Sequence, residues 1–292
     1  MKQRKLNILL ITGIVTDEHD PKMNAMIRFL LESTGRFEVK ITESFKGASA
    51  ESLVDYDAVF INYDGKINVE TPYVGWGEKT EHVLYDYVRQ GGGAVMYHSS
   101  IIKGDPAVPD QFVRLAGCEF DFAQGARKSP KLEMLVDMVE NSHEIVAGAP
   151  KSWMTAQDDF FVNMKWLPDV PVTVLATVRD DLADYQLDKV QVHRRVEFEN
   201  QDIASWPGIN TDVPVAWTHR YGQGRVFAIS IGHGPDTLRR AAFAGFLCRG
   251  TEWAASDRVS IPYPDLAGLK RLRAWPYYWD MTVSEYANIT SF

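Results

Sequence analysis

Apolar positions in this chain recur in short runs of about six residues, separated by longer stretches at helical spacing. Leu6 to Thr12 (LNILLIT) is almost continuously apolar and is closed by Gly13, as a parallel strand covered on both faces requires. Behind Pro21, the residues Met23, Met26, Ile27, Leu30 and Leu31 recur with helical period, and Gly35 stands just past them as a stop signal. Phe37 to Thr42 alternates as a half-buried strand. Asp57 to Asn62 is another apolar run, ending in the polar cluster Asn62-Tyr63-Asp64. A helix from Glu78 to Gln90 then feeds three glycines and the run Ala94-Val95-Met96-Tyr97, which places His98 at a strand's carboxyl end. In an open parallel sheet that end is where ligands bind. The order of elements predicts an α/β fold: a doubly wound, mostly parallel sheet flanked by helices.

The second half is less regular. Pro109 to Ala116 reads as a helix, Gly117 to Pro130 as irregular chain, and Lys131 to Val139 as an alternating strand. His143 to Trp166 follows neither period. Val172 to Val178 is a strong strand, and Val213 to His219 with Arg225 to Gly232 reads as a hairpin about the turn Tyr221-Gly222-Gln223-Gly224. Between them lies a polar insert, Asp180 to Asn210, suited to a surface excursion or a subunit contact. A last helix is expected from Thr237 to about Ala255, with Gly250 as a candidate break. The domain therefore runs over residues 1–256 with the insert 180–210. The remainder, 257–292, is too rich in Trp, Tyr and Pro for a disordered tail and is expected to lie on the body or on a neighbouring subunit of a homo-oligomer.

Composition narrows the class of partner. The 31 basic and 39 acidic side chains leave a net charge of −8 with no basic run long enough to follow a phosphate backbone, so nucleic acid is not expected. No run approaches the roughly 18 apolar residues of a membrane span, and the first residues lack a signal-peptide pattern, so a cytoplasmic protein is expected. Cys118 and Cys248 are the only cysteines; two cannot build a disulfide framework, and they read as reduced, buried thiols.

Several residues are candidates for chemistry. His98 can serve as base, acid or metal ligand, or be a histidine hydrogen-bonded within its turn. Ser99 and Ser100 lack GxSxG spacing and read as donors to a ligand or a helix cap. His19, in TDEHDP, precedes a helix whose amino end attracts anions and polar ligands, although Asp20 before Pro21 is equally an ordinary helix start. Asp158 and Asp159 stand beside Phe160 and Phe161, an environment that raises carboxylate pKa values. His219 and His233 end the two hairpin strands and would most simply lie at opposite ends of the sheet. Trp217 offers a face on which sugars stack, or is core. Arg225 is either a ligand clamp or a structural partner. The loop from Gly65 to Gly77, with Tyr73 and Trp76, is either a lid or packed on its own framework.

As a set, the HD element at His19-Asp20, GGGAVMYHSS, QDDFF at Gln157 to Phe161, Val213 to His233, and FLCRGTEWAA at Phe246 to Ala255 resemble the ThuA-like, or trehalose-utilisation, family. The resemblance implies a fold similar to class I glutamine amidotransferases, a flavodoxin-like architecture with a cysteine at a nucleophile elbow. Here the His98 region stands where that cysteine belongs, which argues against thiolate glutaminase chemistry. The family points to a small-molecule carbohydrate, a disaccharide or an oxidised (3-keto) sugar derivative. One reading is an enzyme with His98 as acid/base, Asp158 or Asp159 as its carboxylate partner, and substrate contacts from His19, Asn62, Asp64, Ser99, Trp217, His219 and His233. A divalent metal held by His98, His19 and a carboxylate stays open, without HExxH-type spacing to commend it. The competing readings are a non-catalytic carbohydrate-binding or regulatory protein, and an assembly protein relying on the insert and tail.

Overall fold

The computed structural model describes residues 4–13, 21–65, 71–101, 110–121, 125–139, 142–185 and 202–263. Five strands, β1 (Leu6–Ile11), β2 (Phe37–Thr42), β3 (Ala58–Ile61), β4 (Gly93–Tyr97) and β13 (Gly224–Ile229), run parallel. Four more, β7 (Leu132–Met138), β8 (Ser152–Asp158), β11 (Thr173–Asp180) and β12 (Thr211–Tyr221), extend the sheet with antiparallel pairings. The order is β2-β1-β3-β4-β13-β12-β11-β7-β8, a mixed nine-stranded sheet whose parallel core is flanked by helices. Two short ribbons lie outside it: β5 (Cys118–Glu119) with β10 (Lys165–Trp166), and β6 (Arg127–Lys128) with β9 (Phe161–Val162).

Apolar alternation along β4 explains the layers. Val95 and Tyr97 face a core shared with α1 (Pro21–Ser33) and α6 (Ala241–Ser256), whereas Ala94 and Met96 face one shared with α2 (Ala50–Leu53), α3 (Glu78–Arg89) and α4 (Asp110–Ala116). Both faces are covered, as the continuous apolar strands demand. The hairpin register pairs His219 with Val226 and Tyr221 with Gly224, while Ile229 pairs with Tyr97. His233 therefore lies at the His98 end of the sheet and His219 toward the other end.

The expected last helix is two. A four-residue α5 (Pro235–Leu238) is followed by a break at Arg239-Arg240, and α6 runs unbroken through Gly250. Gly250 is needed for contact, since a Cβ there would stand 2.2 Å from the Phe227 ring. Every α6 residue from Ala241 to Ala255 is buried, so α6 is covered all round rather than amphipathic. The RGTEWA segment supplies that cover. Arg249 donates to the carbonyls of Ile145 (2.8 Å), Ala147 (3.0 Å), Glu144 and Ile261. Glu252, fully buried, receives Arg36 (2.6 Å), Ser260 N–H (2.7 Å) and Ile261 N–H (2.9 Å). Residues 257–263 are thus bound to the body, with the Tyr263 hydroxyl donating to Ala242 O at 2.8 Å. The rest of the expected extension, and residues 186–201 of the insert, lie outside the described residues. Arg225 is structural, donating to Ala254 O (2.7 Å) and Gly91 O (2.8 Å).

Arg249→Ala strands buried carbonyls on two segments and is expected to lower stability by about 3 kcal/mol in urea unfolding. Arg240→Ala, which removes an exposed pair with Glu133, should cost under ~1 kcal/mol.

Candidate functional site

β4 runs straight into a single 3-10 turn, His98–Ile101, and His98 adopts φ 44° at the junction. A β-substituted residue in the left-handed region costs on the order of 1 kcal/mol or more, and such positions concentrate at functional sites. The turn is held from both sides. The Ser100 hydroxyl donates to Ile61 O at 2.8 Å and accepts from Tyr63 N–H at 2.8 Å, binding the elbow to the end of β3. On the other side, His98 Nδ1 lies 2.7 Å from Ser230 O, just past β13. A carbonyl can only accept, so Nδ1 carries the proton and the lone pair of neutral His98 sits on Nε2.

That Nε2 faces a carboxylate. Asp159 Oδ1 lies 3.6 Å away, and Asp159 Oδ2 accepts from His233 Nδ1 at 2.9 Å. The His98 and His233 ring centroids are 5.0 Å apart, with Phe161 5.1 Å from His98 on the ribbon that crosses this end of the sheet. The same ribbon brings Lys128, whose Nζ lies 3.6 Å from Asp159 Oδ1, 3.4 Å from His233 Nδ1 and 5.7 Å from the Phe161 ring centroid. His98 is 1% exposed and Asp159 4%, so solvent reaches the group from the less buried Lys128 and His233.

The adjacent carboxylates have different surroundings. Asp158 is fully buried and accepts the N–H groups of Gly232 and His233, each at 2.9 Å, and of Asp159 at 2.9 Å. It therefore positions the β13 turn rather than facing His98. Burial and the charge of Asp159 push its carboxyl up to about 6, against the pull of Thr237 and these amides. Burial alone would raise Asp159 too, but His233, Lys128 and His98 outweigh it and hold this carboxyl at about 2.

The remaining expected residues fall elsewhere. Asn62 donates to Asn24 Oδ1 (2.8 Å), and Asn24 to Thr12 Oγ1 (3.1 Å), forming a polar chain at the ends of β1 and β3. Asp64, partly buried, follows it, and Ser99 is buried within the elbow. Trp217 is fully buried, its Nε1 donating to Ala116 O at 2.9 Å, with no face to offer a sugar. His219 is buried against Leu115 O (2.9 Å) and Arg220 O (3.1 Å), and burial lowers its pKa. Trp76 is core, 4.8 Å from the Tyr63 ring and packed on Phe45 and Phe112, so the described part of its loop rests on its own framework. His19 lies outside the described residues.

The ThuA family, described as trehalose utilisation, matches residues 7–254. The chain belongs to this family. A ThuA-like protein of Parabacteroides merdae is 21% identical, with a TM-score of 0.68 over 90% of this chain and 94% of that one. A ThuA-like protein of Bacteroides uniformis is 18% identical, with a TM-score of 0.58 over 88% and 94%. A cold-adapted β-galactosidase of Rahnella sp. R3 is 14% identical, with a TM-score of 0.50 over 85% of this chain but 31% of the larger enzyme. Such identities establish a shared fold. No curated protein matches the chain. In this ThuA-family protein both cysteines are buried away from the elbow, Cys118 on β5 and Cys248 within α6, and burial pushes both thiols up.

Lys128 and Ser230 are site residues that periodicity did not reveal. Lys128 lies on a two-residue strand and its register partner, Phe161, is 33 positions away, and nothing local distinguishes it from any surface lysine.

Because the folded carboxyl of Asp159 titrates below its unfolded value, its contribution is fully present above about pH 4. It is lost as pH falls through about 2. Asp159→Asn should be less stable than the parent by roughly 2 kcal/mol at pH 6, with the gap closing toward pH 2 in urea unfolding.

Proposed function

We propose that this ThuA-family protein is an enzyme acting on a disaccharide or an oxidised (3-keto) sugar derivative by acid/base chemistry, with His98 as the group that exchanges protons with substrate. The observation that carries the reading is the bond from His98 Nδ1 to Ser230 O, which reserves Nε2 for the site and aims it at Asp159. Asp159 is ionised at neutral pH and lies beside both imidazoles, so it favours the imidazolium that each becomes on taking a proton. Lys128 neutralises that carboxylate when neither ring is charged. With ring centroids 5.0 Å apart, one histidine can accept a proton from a sugar hydroxyl or carbon while the other delivers one to a neighbouring oxygen. Asp158 serves this arrangement from behind by fixing the backbone of His233. The carbohydrate class is supported by the family description.

His98→Ala should reduce turnover of trehalose or its 3-keto derivative by about 10²–10⁴-fold in kcat, with sugar binding by calorimetry changed only a few-fold. Undiminished turnover would remove His98 from the chemistry. Sugar binding with no turnover in the parent protein would replace the enzyme with a binding protein.

A further inference from the structure

His98, Asp159 and His233 place one donor atom each so that all three lie within 4.8 Å of one another. Two of the separations, 2.9 Å from His233 Nδ1 to Asp159 and 3.6 Å from His98 Nε2 to Asp159, bracket the ~3.3 Å between donors around a tetrahedral zinc ion. The donors are also prepared in the manner of metal ligands. His98 has its distal nitrogen anchored on a backbone carbonyl, which fixes both the ring plane and the tautomer. Asp159 Oδ1 is buried and receives no hydrogen bond among the described residues, although the His98 ring and the Lys128 ammonium each approach it to 3.6 Å. Its backbone N–H is held by Asp158 at 2.9 Å.

We propose that His98 Nε2, His233 Nδ1 and a carboxylate oxygen of Asp159 are the protein ligands of a divalent transition-metal ion of the zinc type, and that the Lys128 ammonium occupies the same ground when the ion is absent. The two imidazoles and single carboxylate suit zinc, whereas magnesium and calcium want oxygen donors. Lys128 Nζ contacts the two ligands His233 and Asp159 at 3.4 and 3.6 Å, and its flexible stem can withdraw toward solvent. Ion and ammonium therefore exclude one another. The inference goes beyond the acid/base reading and rests on the same residues. An ion takes the lone pair that the reading assigns to proton transfer, so the zinc-loaded and proton-transferring states are alternatives for one site.

The test is calorimetric titration of the EDTA-treated, dialysed full-length protein with zinc chloride, without any sugar, alongside magnesium chloride. One zinc per chain is expected and no saturable magnesium binding. His233→Ala, whose side chain is only partly buried, and Asp159→Asn should each weaken zinc at least ~10-fold with the near-UV dichroism unchanged. Lys128→Met, which keeps the stem and removes the competing charge, should tighten zinc about 10-fold. Zinc binding that is absent, or equal in His233→Ala and parent, overturns the proposal, as does weaker binding in Lys128→Met. Because no substrate enters, failure here leaves the acid/base reading standing, and inert behaviour of His98→Ala in turnover leaves this measurement untouched.

Discussion

The candidate site depends on one buried carboxylate that does not face it. Asp158 closes β8, the outermost strand of the antiparallel half, yet its oxygens take the N–H groups of Gly232 and His233 beyond β13 in the middle of the sheet. Three amides on one buried anion are strong bonds in a low-dielectric setting. They draw the chain after β8 across the mouth of the sheet, so that the next residue, Asp159, is delivered between His98 and His233. Adjacent aspartates thus divide the labour: one holds backbone, the other presents charge to imidazoles.

Local sequence carries the parallel half well. The runs at 6–12, 37–42, 57–62 and 94–97, the helices between them and the hairpin at 213–232 all appear within a few residues of where periodicity puts them, because strands buried on both faces are continuously apolar. His98 at the end of β4 follows from the same reasoning. What periodicity misses is made by pairings distant in sequence. β8 alternates poorly, since Leu135 on β7 and its register partner Met154 on β8 are both exposed, and the β6–β9 ribbon consists of two-residue strands. Lys128 reaches the site on that ribbon. Trp217 and His219 show the opposite limit. Their residue types suit a sugar site, but the hairpin register and α4 enclose them in the core.

Two of the segments that carry the resemblance are mostly architectural. In RGTEWA, Arg249 and Glu252 anchor residues 142–149 and 257–263 around α6, and Trp253 packs edge-on against His143 at 4.9 Å. In the hairpin, Arg225 and Trp217 bind backbone carbonyls. The candidate site rests on a few side chains, and these motif residues build the frame that fixes them.

The position of β13 bears on how the chain is made. It enters the sheet between β4 and β12, yet among the described residues it is the last strand in chain order. Until about residue 229 has left the ribosome, β4 has an open edge, with unpaired amides and carbonyls on an apolar strand. The nascent amino-terminal half is therefore open to wrong strand pairing until β13 is made, and the elbow, which leans on Ser230, cannot be completed earlier.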